Sequence, residues 1–207
     1  MTTIDEWLPT AVTEASGGRD AAERVFAQAA LRVGRDPVDP GDTGGLVHGT
    51  VADRARAALL AELAVTASGP ELADLTDALY RRGDAEQRRG VLRGLDLLAS
   101  ALPQEVRAAA LELIRDALRA NDPRLVAAGM GDAGAALLPD HEWRHGVVKL
   151  VFMGVPLAAA SGLDDRRDAE LARMARDLIA ERTAAGRDIS DDLAAIAVAP
   201  ETDREHR

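Results

Sequence analysis

The sequence predicts an all-α protein, built as a single domain of about eight or nine short antiparallel helices in an irregular HEAT-like or orthogonal stack. Three observations support this fold class. Aromatic residues make up only 2% of a chain that is 47% hydrophobic, and the abundant alanine and leucine favour helices over strands. Apolar residues recur every three or four positions. Helix-capping residues, glycines and prolines punctuate the chain about every 15 to 25 residues, which suits compact helices joined by short turns.

Five helices are predicted in the first 122 residues. Asp20 and Glu23 have the spacing of a capping box and introduce a helix that ends at Gly34. A loop rich in glycine and proline follows over residues 35–49. Thr50 is placed to cap the second helix. The next three helices are predicted to begin at Pro70, Asp84 and Pro103.

The remaining helices follow from the same signals. Three glycines interrupt the apolar stretch 123–138, which predicts two short helical pieces with a bend rather than one rod. Three further helices are delimited by Asp140 and Gly154, by Asp168 and Gly186, and by Ser190 at the start of the last. We therefore predict one helical domain over residues 1–199 and a disordered tail over 200–207, since the tail has no apolar anchor.

Composition and charge exclude several classes of function. The net charge of -10, from 35 acidic and 25 basic residues, would repel a phosphate backbone, so no nucleic-acid partner is expected. There is no cysteine, which excludes thiolate catalysis and cysteine-type zinc sites. The longest apolar stretch, 147–163, is interrupted by Lys149 and is shorter than the ~20 residues that cross a bilayer. We expect a cytoplasmic protein that is not membrane-spanning, and no cofactor.

The sharpest local motif is His141-Glu142-Trp143-Arg144-His145, which satisfies the H-E-x-x-H pattern of zinc metalloproteases. On a helix the two histidines lie one turn apart on one face, where they can ligate a metal while Glu142 activates the bound water. Nothing in the sequence singles out a third protein ligand, and the motif begins at an expected solvent-facing helix start. The alternative is a helix N-terminus with exposed imidazoles and a buried Trp143.

Two further features are candidates for binding. Lys149 is the only lysine beside 24 arginines, and an amine at an apolar helix position can anchor an anion, act as a base or nucleophile, or simply extend to a nearby carboxylate. The run of mixed charge over 164–170 is typical of a solvated face at a helix start. Arg166 and Arg173 could instead hold an anion between them.

The C-terminal third resembles the EboA family over about 45 residues, from Trp143 to Arg187. The residues that carry the resemblance are Trp143, Val148, Lys149, Phe152, Gly154, Pro156, Leu157, Gly162, Leu163, Asp164, Arg166, Glu170, Leu171, Ala172, Arg173, Met174, Glu181, Arg182, Ala184, Ala185, Gly186 and Arg187. The resemblance implies a place in bacterial gene clusters that make or move secondary-metabolite precursors across the cell envelope.

The resemblance directs attention to five residues that belong to the family's pattern. We expect a non-catalytic accessory protein that binds a small metabolite, or a partner enzyme, of a prenylated or cyclitol-type pathway. Its contact surface is expected near Trp143, Lys149, Arg166, Glu170 and Arg173. Two alternatives remain at this point, which are a zinc-dependent hydrolase using His141, Glu142 and His145, and a structural helical scaffold for partner enzymes.

Overall fold

The computed structural model describes residues 2–199. Within this range the chain forms twelve α-helices and two short 3-10 turns, and its only extended pairing is the isolated bridge between Pro37 and Thr50. The helices are α1 (Ile4–Ala15), α2 (Arg19–Val33), α3 (Val51–Thr66), α4 (Gly69–Arg82), α5 (Ala85–Leu98), α6 (Gln104–Arg119), α7 (Pro123–Gly129), α8 (Asp132–Leu137), α9 (Asp140–Phe152), α10 (Leu163–Arg166), α11 (Ala169–Ala184) and α12 (Asp191–Ala197). The all-α prediction is confirmed.

The predicted number of helices, eight or nine, was too low. The amphipathic α1 precedes the first helix expected from the sequence, and α10 is a single turn inside the charged run 164–170. The glycine-interrupted stretch 123–138 does form two pieces, α7 and α8, which counted as one predicted unit. Short helices escape prediction because a single turn carries too little apolar periodicity to be recognised.

Most predicted helix starts coincide with observed N-caps. Thr50 and Asp53 form a complete capping box on α3, and the side chains of Asp84, Asp168 and Ser190 each accept a hydrogen bond from the backbone N–H three residues later. Asp140 differs from the expectation, since it is the first residue of α9 and Pro139 occupies the cap position. Its carboxylate still complements the positive end of the helix dipole.

Helices α3 and α5 approach closely because two glycines face α3. A Cβ added at Gly90 would lie 2.6 Å from the Arg56 side chain, and one at Gly94 would lie 2.8 Å from Leu60 Cδ2. Helix α4 packs on α6, so in α3 to α6 each helix contacts the next but one along the chain. The short helices α7 and α8 each pack on both α5 and α6, and the stack is therefore not a regular HEAT-like array.

One continuous apolar cluster extends from Trp7 in α1 to Ile196 in α12. Helix α9 lies within it and contacts α7, α11 and α12, so its buried residues are fixed on several sides. Among residues 2–199, no helix is both long enough and apolar enough to cross a membrane. The tail predicted over 200–207 lies outside the described residues.

Candidate functional site

A groove of about 450 Å³ runs between α6 and α9. Its surface is mostly apolar, and its volume is within the range of about 300 to 1,000 Å³ typical of small-molecule sites. It is lined by Arg115, Leu118, Arg119, His141, Glu142, His145, Gly146 and Lys149. We call this the α6–α9 groove.

Helical periodicity explains which side chains face the groove. On α9, His141, His145 and Lys149 follow one another at intervals of four residues, so they form a stripe along one side of the helix. On α6, Arg115 and Arg119 have the same spacing. The opposite side of α9 is held in the core by Trp143, Val147 and Leu150. The buried side thus fixes the direction in which the stripe points.

Two polar contacts join the walls of the groove at its ends. At one end, Arg115 donates two hydrogen bonds to the Glu142 carboxylate, at 2.6 and 2.7 Å. At the other end, Lys149 Nζ donates to the carbonyl oxygens of Leu118 and Ala120, at 2.6 and 2.8 Å. The contacts advance in the same direction along both helices. The seven helical steps from Glu142 to Lys149 make the groove about 10 Å long at 1.5 Å per step.

The floor of the groove is made by Leu118 and Gly146. Gly146 is buried against Met130, and a Cβ added at this glycine would lie 2.3 Å from the methionine sulfur. Any larger residue would therefore push α9 away from the segment between α7 and α8 or displace Met130. The missing Cβ at Gly146 lets α9 pack directly on Met130, and Gly146 itself adds no side chain to the middle of the groove.

The Arg115–Glu142 end of the groove is electrostatically closed. Arg115 also donates to Glu112 at 2.7 Å, so it is bonded to two carboxylates. Hydrogen bonding from Arg115 lowers the pKa of Glu142, and hydrogen bonding from Glu142 and then Glu112 raises the pKa of Arg115. A carboxylate held in this way is a weak base.

The Lys149 end of the groove carries positive charge that is incompletely balanced. Lys149 gives two of its three donors to carbonyls at the end of α6, and no carboxylate of residues 2–199 forms an ion pair with it. Arg119 is 68% exposed and lies 3.7 Å from Asp116. That carboxylate is shared with Arg81 and with the Tyr80 hydroxyl. Lys149 therefore contributes a charge without a carboxylate partner in the described part of the chain, and the Arg119 side chain is mostly exposed beside it.

The H-E-x-x-H residues are in place as a helical pair but not as a hydrolase centre. His141 is 72% exposed. Both carboxylate oxygens of Glu142 accept hydrogen bonds from Arg115, so they are not free to activate a metal-bound water. No group of three His, Cys, Asp or Glu side chains among residues 2–199 is arranged to hold a metal ion. The three cations that line the same groove would also repel Zn²⁺. This geometry does not fit zinc-dependent catalysis by Glu142.

Trp143 and Arg166 lie together, but inside the fold. Trp143 is fully buried, and its indole N–H donates to the Ser161 carbonyl at 3.1 Å. The Arg166 guanidinium lies 4.9 Å from the centroid of the Trp143 ring and donates to the carbonyls of Ala135 and Leu138. Those carbonyls end α8, where a helix has no intrahelical donors left. Arg166 thus binds carbonyls at the end of α8 in the same way that Lys149 binds carbonyls at the end of α6.

Glu170 and Arg173 lie on the exposed side of α11. Arg173 donates to both Glu170 oxygens, at 2.6 and 2.9 Å, and to Asp177 at 2.6 Å. Hydrogen bonding from Arg173 lowers the pKa of Glu170. Only Lys149 of the five predicted contact residues lines the α6–α9 groove. The five do not share one surface in this structure, and a binding role for the other four stays a prediction.

A larger groove of about 550 Å³ lies between α2, α4 and α5. Its charges are balanced, since two acids and two arginines line it, which are Asp20, Glu23, Arg24 and Arg82, and Glu23 pairs with Arg82 at 2.9 Å. The α6–α9 groove instead has three cations, Arg115, Arg119 and Lys149, against one carboxylate. Unbalanced charge beside apolar surface is the stronger indication of a ligand site. For this reason we take the smaller groove as the candidate site.

Sequence reasoning missed the residues that α6 contributes, which are Arg115, Leu118 and Arg119. Nothing marked these two arginines among 24, because the pairing of α6 with α9 depends on tertiary packing. The stripe of His141, His145 and Lys149 was readable from its spacing of four. That signal was available even though the motif alone pointed to a metal.

Comparison with known proteins gives one match. The model of a family described as "Metabolite traffic protein EboA" matches residues 47–197, which is most of the chain and includes α3 to α12. No curated protein and no solved structure matches significantly. All eight residues that line the α6–α9 groove fall within the matched range.

Proposed function

The chain belongs to the EboA family of metabolite traffic proteins, and on this premise we propose that it is a non-catalytic protein that binds a small metabolite in the α6–α9 groove. It would hold this metabolite as an accessory protein of a bacterial secondary-metabolite pathway, for use or export by partner enzymes. The observation that carries the proposal is the incompletely balanced charge of Lys149 and Arg119 beside an apolar floor.

The chemistry of the groove supports binding rather than catalysis. The carboxylate best placed to act as a base, Glu142, is occupied by two hydrogen bonds from Arg115. Lys149 is anchored to two backbone carbonyls, which take two of its three donors and fix the position of its amine. A fixed ammonium is well suited to orient a bound molecule.

The proposal is tested by capture of metabolites from an extract of the source organism. The protein is equilibrated with the extract, washed by gel filtration and denatured, and the released small molecules are identified by mass spectrometry. We expect at least one compound at near-stoichiometric amount with the wild-type protein. Its amount should fall about tenfold or more with Arg119→Gln and with Lys149→Met, since each substitution removes one of the two open charges.

The matched control is Arg54→Gln, which removes an exposed arginine of α3 outside the groove. This variant should retain the same compounds as the wild type. Equal capture by all four proteins would show that the groove is not the site. Circular dichroism on each variant separates loss of binding from loss of fold.

Elemental analysis of protein purified without chelator or nickel decides between this proposal and a zinc hydrolase. Stoichiometric zinc that is lost in His145→Ala would overturn the non-catalytic assignment. A structural scaffold would instead capture no compound while binding a partner enzyme, and Arg119→Gln would leave that complex unchanged.

A further inference from the structure

The two ends of the α6–α9 groove differ in charge, and this asymmetry restricts the chemistry of a ligand. At the Glu142 end, a bidentate ion pair already satisfies both partners. At the Lys149 end, an ammonium that pairs with no carboxylate of residues 2–199 lies beside an exposed guanidinium. A ligand anion gains the attraction of unbalanced cations only at the second end.

The region between the ends is apolar and narrow. Leu118 and Gly146 form the floor, and Gly146, which packs directly on Met130, adds no side chain to it. Burying methylene groups on this floor is favourable, whereas burying a second charge or several hydroxyls would leave polar groups without partners. His141 and His145 line one wall and offer their rings to the side of a bound chain.

From these features, and resting on the proposed function, we propose that the groove takes a small amphiphile with one anionic head group and a short apolar body. The head group, a carboxylate or a phosphate monoester, contacts Lys149 and Arg119. The apolar body lies along Leu118 and Gly146 toward the Arg115–Glu142 pair. The groove length of about 10 Å accommodates a body of about six carbon atoms beside its head group.

The overall negative charge of the protein confines the attraction of anions to the immediate surroundings of Lys149 and Arg119. A chain with a net charge of -10 repels anions at long range, so the groove attracts them only at short distance. Arg115 does not compete for the head group because its donors are held by Glu142 and Glu112. The head group is therefore directed to one end, which fixes the orientation of the bound molecule.

The proposal is tested with five probes that share a six-carbon chain or a head group: hexanoate, hexyl phosphate, 1-hexanol, hexyltrimethylammonium and inorganic phosphate. Binding to the full-length protein is followed by titration of amide resonances, including those of Gly146 and Lys149. We expect hexanoate and hexyl phosphate to bind at least tenfold more tightly than 1-hexanol and hexyltrimethylammonium. Inorganic phosphate should bind weakly because it gains nothing from the apolar floor.

Two further comparisons locate the head group and the body. Arg119→Gln should weaken hexanoate and hexyl phosphate about tenfold and leave 1-hexanol unchanged, while Arg54→Gln changes neither. Across the series from acetate to hexanoate, affinity should rise with each added carbon, by up to about fourfold per methylene if the body is buried. The preferred head group of the two identifies the ligand as a carboxylate or a phosphate monoester.

The outcomes separate this proposal from the function on which it rests. Equal or tighter binding of the cationic or neutral probe would overturn the anionic head group while leaving the groove as a binding site. The anionic head group would also be overturned if the compound captured from extract is neutral or cationic. It would likewise be overturned if that compound binds to the groove and neither hexanoate nor hexyl phosphate does. Failure of capture and of all probes together would overturn both proposals.

Discussion

Two regions of this protein place charged side chains beside apolar residues. In one region the charges are buried and paired, and in the other they stay exposed. The first region lies between α3 and α5 and consists of Asp53, Arg56 and Arg89, which are all buried. We call it the α3–α5 charged layer. Asp53 pairs with Arg89 at 3.3 Å, and Arg56 donates to the Phe26 carbonyl at 3.0 Å. In the α6–α9 groove, by contrast, Arg119 faces solvent with a shared, distant carboxylate.

The difference separates charges that specify the fold from charges that remain available to a ligand. In the α3–α5 charged layer each charged group has a partner supplied by another element, and burial lowers the pKa of Arg56. Such pairs are costly to break because the remaining partner stays buried. Arg119 in the groove, whose ion pair is exposed, can be removed at little cost in stability. The comparison therefore predicts which substitutions unfold the protein and which only change binding.

The largest effect on stability is expected for Asp53→Ala. The substitution removes the capping box of α3, where the Asp53 carboxylate accepts from the Thr50 N–H at 3.0 Å, and leaves buried Arg89 without its carboxylate. The free energy of unfolding should fall by about 3 to 5 kcal/mol. Urea denaturation followed by circular dichroism measures this change. Asp165→Ala, an exposed acid on α10, should change it by less than about 0.5 kcal/mol, and a similar loss in both variants would refute the distinction.

Asp96 lies between the two extremes, because its side chain is mostly buried, with 13% exposed, and is incompletely paired. Its carboxylate accepts from the Ala133 N–H at 2.9 Å and lies 3.7 Å from Arg93, yet burial raises its pKa to about 6. The folded state therefore binds more protons than the unfolded state between about pH 4 and pH 6, and its stabilising contribution is complete below pH 4 and lost as the pH rises through 6.

The corresponding variant is Asp96→Asn, which has no charge to bury. The free energy of unfolding of the wild type relative to this variant should fall by about 2 to 3 kcal/mol between pH 4 and pH 7. Denaturation of both proteins at several pH values gives this difference. The contributions of the other titrating groups cancel because both proteins contain them. A difference that is independent of pH, or that rises with pH, would show that the Asp96 carboxylate is stabilised by Arg93 after all.

Gly94→Ala tests the close approach that creates the α3–α5 charged layer. Within a helix this change normally stabilises by up to about 1 kcal/mol. Here the new Cβ would lie 2.8 Å from Leu60 Cδ2, so we expect a loss of about 1 to 3 kcal/mol from overpacking. The sign of the change in unfolding free energy decides the matter, since a gain would mean that α3 and α5 are not in tight contact at this residue.

The sequence was informative about elements and much less so about the groove. Thr50, Asp84, Asp168 and Ser190 mark helix starts because a cap is a local interaction, complete within four residues. The groove depends on which helices become neighbours, and this is set by close contacts such as that of Gly146 with Met130. No local pattern contains that information.

The individual site residues also show that a sequence pattern does not reveal which side chains meet a ligand. The sequence predicts that Trp143 and Arg166 contact a ligand, whereas in the structure they contact each other, Ser161 and the end of α8. Shared membership of a pattern does not distinguish a residue that supports a helix end from one that meets a ligand. Only burial and the partners of each donor make that distinction.

The smallest effect on stability is expected for Arg119→Gln, and it is the most informative about the groove. Its ion pair with Asp116, at 3.7 Å, is exposed, and Asp116 keeps the Tyr80 hydroxyl and Arg81 as partners when Arg119 is lost. The free energy of unfolding should therefore change by less than about 0.5 kcal/mol, while anion binding falls about tenfold. Parallel denaturation and titration of one preparation measure both. A loss of stability comparable to that of Asp53→Ala would place Arg119 among the charges that hold the fold together, and the groove would then have only Lys149 to attract a ligand.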